Sequence, residues 1–247
     1  MDFNYLILSA VCVFVALTVH EYAHGYAAYK LGDNTARNLG RLTLNPIKHI
    51  DPIGALCLLF FHFGWAKPVP INPRYFKNPR RDFAISALMG PIANLLLAFF
   101  SAFLYLLTLK WFINLNFSSG LLYNIAYNTL SFVAIFHSVN VGLAIFNLFP
   151  IPPLDGSRIV TLLLPPNLYF KIMKYERVIF WILAGWLFIG NYISTFLLSF
   201  DFIIKTPLLR IIAKIFSLSG LLSSLMGFVS DLMLDFWRLI PFLNFSY

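Results

Sequence analysis

The sequence predicts an all-α polytopic membrane protein with about four transmembrane helices. A short re-entrant or β-hairpin element follows the first of them, and amphipathic or additional membrane helices close the chain. Three observations lead there. Of 247 residues, 60% are hydrophobic and only 11% are charged, where soluble domains carry about a quarter charged residues. Apolar runs recur at lengths close to the roughly 20 residues that a spanning helix needs. Lysine and arginine gather in the connections between those runs, as they do in loops that face anionic lipid. A soluble globule and a disordered chain are thereby excluded. The net charge of +8 is explained by the loops and implies no nucleic-acid partner.

The first apolar run, Tyr5 to Val19, continues through His20-Glu21-Tyr22-Ala23-His24 to Tyr29, enough for one tilted span. Asp2 and the absence of a preceding basic residue argue against a cleaved signal peptide. Lys30 to Asp51 is polar and punctuated by Gly, Asn and Pro. The apolar stretch Ile53 to Trp65 is too short to cross and reads as a re-entrant or interfacial hairpin. After the Pro-rich basic stretch Lys67 to Asp82, a second span runs from Phe83 to Leu109, a third from Leu121 to Phe149 and a fourth from Val178 to Phe200.

Nine basic residues fall between Lys30 and Arg81, one at Lys110, and four between Arg158 and Arg177. The positive-inside rule therefore puts the first and third connections in the cytoplasm and the Lys110 loop outside. Residues 1–200 form one membrane core. The tail 201–247, interrupted by Lys205, Arg210, Lys214 and Arg238, either lies along the interface as amphipathic helices or contains a fifth span, for example Ile215 to Met233. Cys12 and Cys57 sit inside apolar runs and read as small buried hydrophobes, with no sign of a thiolate metal site.

Chemistry enters at His20-Glu21-x-x-His24, on the inner half of the first span. At helical spacing His20 and His24 fall about 40° apart and one turn along, so both imidazoles can hold one metal ion with Glu21 beside them. Two neutral imidazoles plus a carboxylate suit zinc and leave a position for water. Only two glutamates occur in the chain, Glu21 and Glu176, and burying an acid and two histidines in a membrane without a role costs roughly several kcal/mol.

A third ligand must come from elsewhere, and Asp155 is the best donor. It lies in Asn147-Leu-Phe-Pro-Ile-Pro-Pro-Leu-Asp155-Gly156, where three prolines end the third span and leave irregular backbone at membrane depth. Both the first and third spans run from outside to inside. His20, about 22 Å along the first from Tyr5, and Asp155 at the inner end of the third therefore arrive on the same side. One Zn2+ per chain is expected. His137, if helical, is about 27 Å from Asp155 on the outer side and is not a ligand. His49 and His62 read as solvated or interfacial.

HEYAH in one transmembrane helix and NLFPIPPLDG in a later one resemble the site-2 protease family of intramembrane zinc metalloproteases. The likeness extends to Gly40-Arg-Leu-Thr-Leu-Asn-Pro, His49-Ile-Asp-Pro-Ile-Gly, Gly64-Trp-Ala-Lys-Pro-Val-Pro-Ile-Asn-Pro and Gly90-Pro-Ile-Ala-Asn94. These segments look like the compact bacterial subgroup without a PDZ domain, over roughly Leu17 to Ile159. The resemblance implies zinc held by His20, His24 and Asp155, Glu21 as general base, and Asn147 steadying an oxyanion or the substrate backbone. It also implies a transmembrane protein as substrate, cut within the bilayer of the bacterial inner membrane, and the basic connections put the site toward the cytoplasm.

A helical substrate must be extended before it can be cut, most simply by pairing with an exposed strand edge. Arg41-Leu42-Thr43-Leu44 alternates as a short strand and Lys67 to Pro73 reads as extended chain, so both are candidate substrate contacts or else ordinary linkers. Asn94 either bonds into the site or ties helices together. Two other functions fit less well. One is a membrane zinc hydrolase acting on lipid-linked or prenylated substrates. The other is a metal transporter, which needs polar sites along a path, whereas here they cluster at one depth. No residue pattern specifies an oligomeric state.

Overall fold

The computed structural model of the chain describes residues 3–61, 64–115, 117, 119–160, 162–209 and 218–243. In chain order its helices are α1 (Phe3–Lys30), α2 (Thr35–Asn38), α3 (Pro52–Phe61), α4 (Pro79–Asn114), α5 (Gly120–Leu148), α6 (Asp155–Val160), α7 (Pro166–Lys174), α8 (Glu176–Leu197), α9 (Asp201–Lys205) and α10 (Leu218–Arg238). Among the described residues, α1, α4 and α5 are long and apolar enough to cross a membrane. The protein is thus an all-α polytopic membrane protein, and these three helices form its centre.

Lipid solvates a Leu or Phe side chain as well as a protein interior does, so helices gain most from close backbone approach and turn their large apolar residues outward. On α1 the buried residues Cys12, Ala16, His20 and His24 recur every fourth position and share one face, while Phe3, Ile7, Val11 and Val15 are exposed. Ala98 and Ala102 of α4 and Ala126 and Ala144 of α5 are likewise buried. The small residues bring three backbones together, and the two histidines continue the α1 stripe into the gap between them.

In the stretch expected as a re-entrant or β-hairpin element, Pro52–Phe61 form the helix α3, about 15 Å long and too short to cross a membrane. Asp51 starts it: its Oδ1 accepts from the amides of Ile53 and Gly54, both at 2.9 Å, and Pro52 occupies the first helical position, where no amide hydrogen is needed. Arg41–Leu44, expected as a short strand, has no ladder partner. The described residues hold no strand, and Ile50 and Ala66 form one isolated antiparallel bridge. The segment is held instead by side chains. Arg41 Nη2 donates to the carbonyls of Lys67 at 2.8 Å and Pro68 at 3.2 Å. His49 Nε2 donates to the Thr43 carbonyl at 2.8 Å. His49 is accordingly buried at 2% exposure rather than solvated. His62, Arg210 and Lys214 lie outside the described residues.

The C-terminal helix α10 packs along the bundle. Leu222 joins Phe146, Phe149 and Leu154, and Met226, Val229 and Met233 pack on Ala98, Val141 and Ile145. Farther along, Ser230 Oγ is 2.7 Å from His137 Nε2 and Trp237 Nε1 donates to the Phe99 carbonyl at 2.7 Å. Rising α10 numbers meet falling α5 numbers, so the two helices run antiparallel over this length. The opposite face of α10, Leu221, Leu225, Phe228, Leu232 and Phe236, is exposed. His137 contacts α4 and α10 rather than the histidine pair of α1. Its imidazole is occupied by Ser230 and the Ala98 carbonyl.

Candidate metal centre

His20 and His24 are on the buried face of α1, one turn apart, with their Nε2 atoms 3.0 Å from each other. Each ring is fixed from behind through Nδ1. His24 Nδ1 lies 2.8 Å from the Ser86 carbonyl and His20 Nδ1 lies 2.6 Å from Asn94 Oδ1, both on α4. A carbonyl oxygen only accepts, so His24 must carry its proton on Nδ1. Asn94 directs its own Nδ2 to the Ala16 carbonyl and to Asn140 Oδ1, which leaves Oδ1 to accept from His20. Both Nε2 lone pairs therefore face each other and are free to bind a metal.

Helix α4 comes this close because residue 90 is glycine. A β-carbon there would lie 2.4 Å from Cε1 and Nε2 of His24 and 2.7 Å from Cε1 of His20. Gly90→Ala should therefore push the rings out of register at a cost of about 1–3 kcal/mol, seen as a lower melting temperature together with weaker zinc retention. Wild-type zinc retention in that variant would show that α4 does not support the rings.

The third group arrives by a reversal of the chain. Beyond Leu148 the prolines 150, 152 and 153 cannot continue α5. The Leu154 amide donates to the Ile151 carbonyl at 2.9 Å and the Ser157 amide to the Leu154 carbonyl at 3.0 Å. Gly156 permits the tight return, since a β-carbon on it would lie 2.1 Å from the Leu148 carbonyl oxygen. Asp155, at the start of α6, is thereby turned toward α1, with Oδ2 at 3.1 Å from His20 Nε2 and 3.2 Å from His24 Nε2.

His20, His24 and Asp155 thus form a group able to hold a metal ion. Their three ligand atoms, 3.0–3.2 Å apart, sit near the edge length of about 3.3 Å of a tetrahedron with zinc–ligand bonds of about 2.0–2.1 Å. Asp155 Oδ2 is buried and makes no hydrogen bond. Three lone pairs converging without a proton between them repel, and a dication removes that repulsion. The donor set, two imidazoles and a carboxylate, matches one catalytic zinc per chain.

Glu21 does not join the set. Its Oε2 accepts from the Val69 amide at 2.7 Å, in an extended segment where Pro68 and Pro70 offer no amides of their own. Gly25 lets that segment lie close, because a β-carbon there would meet Val69 Cγ1 at 2.9 Å. Asn147, on the last turn of α5, spends its Nδ2 on the Leu143 carbonyl at 3.0 Å. Asn94 is fully buried behind His20. Arg41 and Thr43 bond within the connection, Leu42 points toward Gly25, and Leu44 is exposed. Sequence reasoning missed Ser86, Val69 and Asn140. The first two act through backbone groups, which carry no residue signature, and Asn140 belongs to no recognisable motif among the polar residues of α5.

Zinc held between spanning helices, with a glutamate tethered beside it, defines a class of protein: the intramembrane zinc metalloproteases. Comparison with known sequences names the family. The sequence model described as "Peptidase family M50" matches residues 122–188, a stretch that includes Asp155. YwhC of Bacillus subtilis, a candidate zinc metalloprotease by its name, is 44% identical over 174 residues, covering 70% of this chain and 74% of that protein. Rip2 of Mycolicibacterium smegmatis and Rip2 of Mycobacterium tuberculosis, named likewise, are 32% and 30% identical over 149 residues, or 58% of this chain and 51% of theirs. No solved structure matches. The chain belongs to peptidase family M50, the zinc metalloproteases of site-2 protease type, and is an endopeptidase acting on membrane proteins within the bilayer.

Proposed function

We propose that His20, His24 and Asp155 hold the catalytic zinc, that Glu21 is the general base and proton shuttle, and that Asn147 steadies the oxyanion or the substrate backbone. The observation that carries this reading is the convergence of two Nε2 atoms and one carboxylate oxygen within 3.2 Å, from helices far apart in the chain. Bound there, zinc supplies a Lewis acid that acidifies water and polarises the scissile carbonyl. Glu21, already placed by the Val69 amide, takes a proton from the attacking water and delivers it to the departing amide nitrogen. Asn147 reaches the developing oxyanion by exchanging its Leu143 bond for the substrate. Replacement of Glu21 by Gln, argued in the Discussion, is the test.

The unwound substrate, a transmembrane segment of another protein, lies in this reading along Arg41, Leu42, Thr43 and Leu44, with Asn94 at the back of the site. The site faces the cytoplasm of a bacterial cell, across the inner membrane. Two features support that orientation. The two basic connections meet, Arg80 Nη2 donating to the Leu164 carbonyl at 2.6 Å, and both carry the excess of positive charge that marks a cytoplasmic face. We further propose that α8 is a fourth span, running outward from the third connection. On this arrangement cysteines introduced at Arg80 and at Lys174 react only with reagent on the cytoplasmic side, and one at Asn114 only with reagent outside. Labelling of Arg80 and Lys174 positions from opposite faces would break the shared site apart.

A further inference from the structure

The polar contacts behind His20 continue past Asn94 into a span that contributes nothing else to the metal. Asn140 of α5 donates through Nδ2 to the Phe136 carbonyl at 2.8 Å and accepts at Oδ1 from Asn94 Nδ2 at 2.8 Å. Asn94 also donates to the Ala16 carbonyl of α1 at 3.3 Å and presents Oδ1 to His20 Nδ1 at 2.6 Å. Both amides have 0% exposure. We propose that Asn140 and Asn94 are a positioning pair that sets the tautomer and the angle of the His20 ring and thereby raises the affinity of the site for zinc.

The direction of every bond follows from its two ends. A carbonyl oxygen at Phe136 accepts only, so the Asn140 amide must point its nitrogen there and its oxygen at Asn94. Asn94 then has its nitrogen committed to Asn140 and Ala16, and only its oxygen is left for His20. An imidazole facing an acceptor carries its proton on that side, which leaves Nε2 unprotonated for the metal. Either amide reversed would put a donor against His20 Nδ1 and favour a proton on Nε2, where zinc must bind. Simple interhelical adhesion would be served by either amide orientation. Orientation of the ring requires the one observed. His24 needs no such pair, because the Ser86 carbonyl faces it directly.

The test is zinc affinity of the purified full-length chain, read by competition with a chelator and by the visible spectrum of the cobalt-substituted protein. Asn94→Leu should weaken zinc binding by about 10–100-fold, the usual effect of losing a group that orients a ligand, and should shift the cobalt bands. Asn94→Asp keeps an acceptor for His20 and should restore most of the affinity. Asn140→Leu should also weaken zinc although it touches no ligand, and the double Leu variant should be no worse than Asn94→Leu alone, because one residue acts through the other. A folded Asn94→Leu or Asn140→Leu protein with wild-type zinc affinity and an unchanged cobalt spectrum would overturn the proposal. So would an Asn94→Asp protein as weak as Asn94→Leu. If Asn94→Leu does not fold, Asn94→Asp and Asn140→Leu decide on their own. The inference rests on the zinc reading of the site. Failure of the wild-type chain to bind zinc would overturn that reading and this one together, whereas zinc bound equally by all variants would overturn only the positioning pair.

Discussion

Glu21→Gln lowers peptide-bond cleavage by at least about a hundredfold, the scale on which a missing general base is felt, and leaves zinc content unchanged. Glu21 lies one residue from His20 and so about 100° around α1 from it, outside the triangle of ligand atoms but beside it. Its Oε2 is held at 2.7 Å by the Val69 amide, an interaction that a glutamine oxygen preserves. Gln matches the size and hydrogen-bonding shape of Glu but accepts no proton near neutral pH. Folding, membrane insertion and metal binding therefore survive, and proton removal from water does not. The measurement is turnover of a transmembrane model substrate in reconstituted vesicles, with metal analysis of the same sample. Wild-type turnover by Glu21→Gln would eliminate Glu21 as the base.

Removal of any one ligand acts on the metal first and on cleavage as a consequence. His20→Ala, His24→Ala and Asp155→Ala should each reduce bound zinc well below one per chain and bring activity to background, because two remaining groups make an incomplete catalytic set. Chelation of the wild-type enzyme should do the same, and added zinc should restore activity to wild type but not to the variants. Asp155→Ala is the most informative of the three. It also removes the carboxylate oxygen that lies 3.1 and 3.2 Å from the two Nε2 atoms, so full zinc retention in this variant would take Asp155 out of the ligand set.

The long apolar helices and the histidine pair are legible in the amino-acid sequence. The apolar runs Tyr5 to Tyr29, Phe83 to Leu109, Leu121 to Phe149 and Val178 to Phe200 coincide with the helices Phe3–Lys30, Pro79–Asn114, Gly120–Leu148 and Glu176–Leu197. Long apolar runs in lipid leave the backbone no better option than a helix. The His20-Glu21-x-x-His24 pair is legible because helical spacing alone puts both rings on one face. The apolar stretch after Asp51 reads as a re-entrant or β-hairpin element and Pro52–Phe61 in it are helical; a run without alternation does not separate strand from helix. The useful signal there is local, an Asp followed by Pro at a helix start.

Sequence by itself determined the membrane class, the long apolar helices, the histidine pair and the acid that joins it, since each depends on local composition or on a fixed helical period. Only the tertiary structure decided which atoms meet. The Ser86 carbonyl behind His24, the Val69 amide on Glu21, the Asn140–Asn94 chain behind His20 and the absence of a β-carbon at Gly90 all depend on how α1, α4 and α5 are rotated and how closely they approach. That rotation is set by small buried residues such as Ala16, Ala98 and Ala144, whose fit is a property of three helices together and of no single stretch of chain.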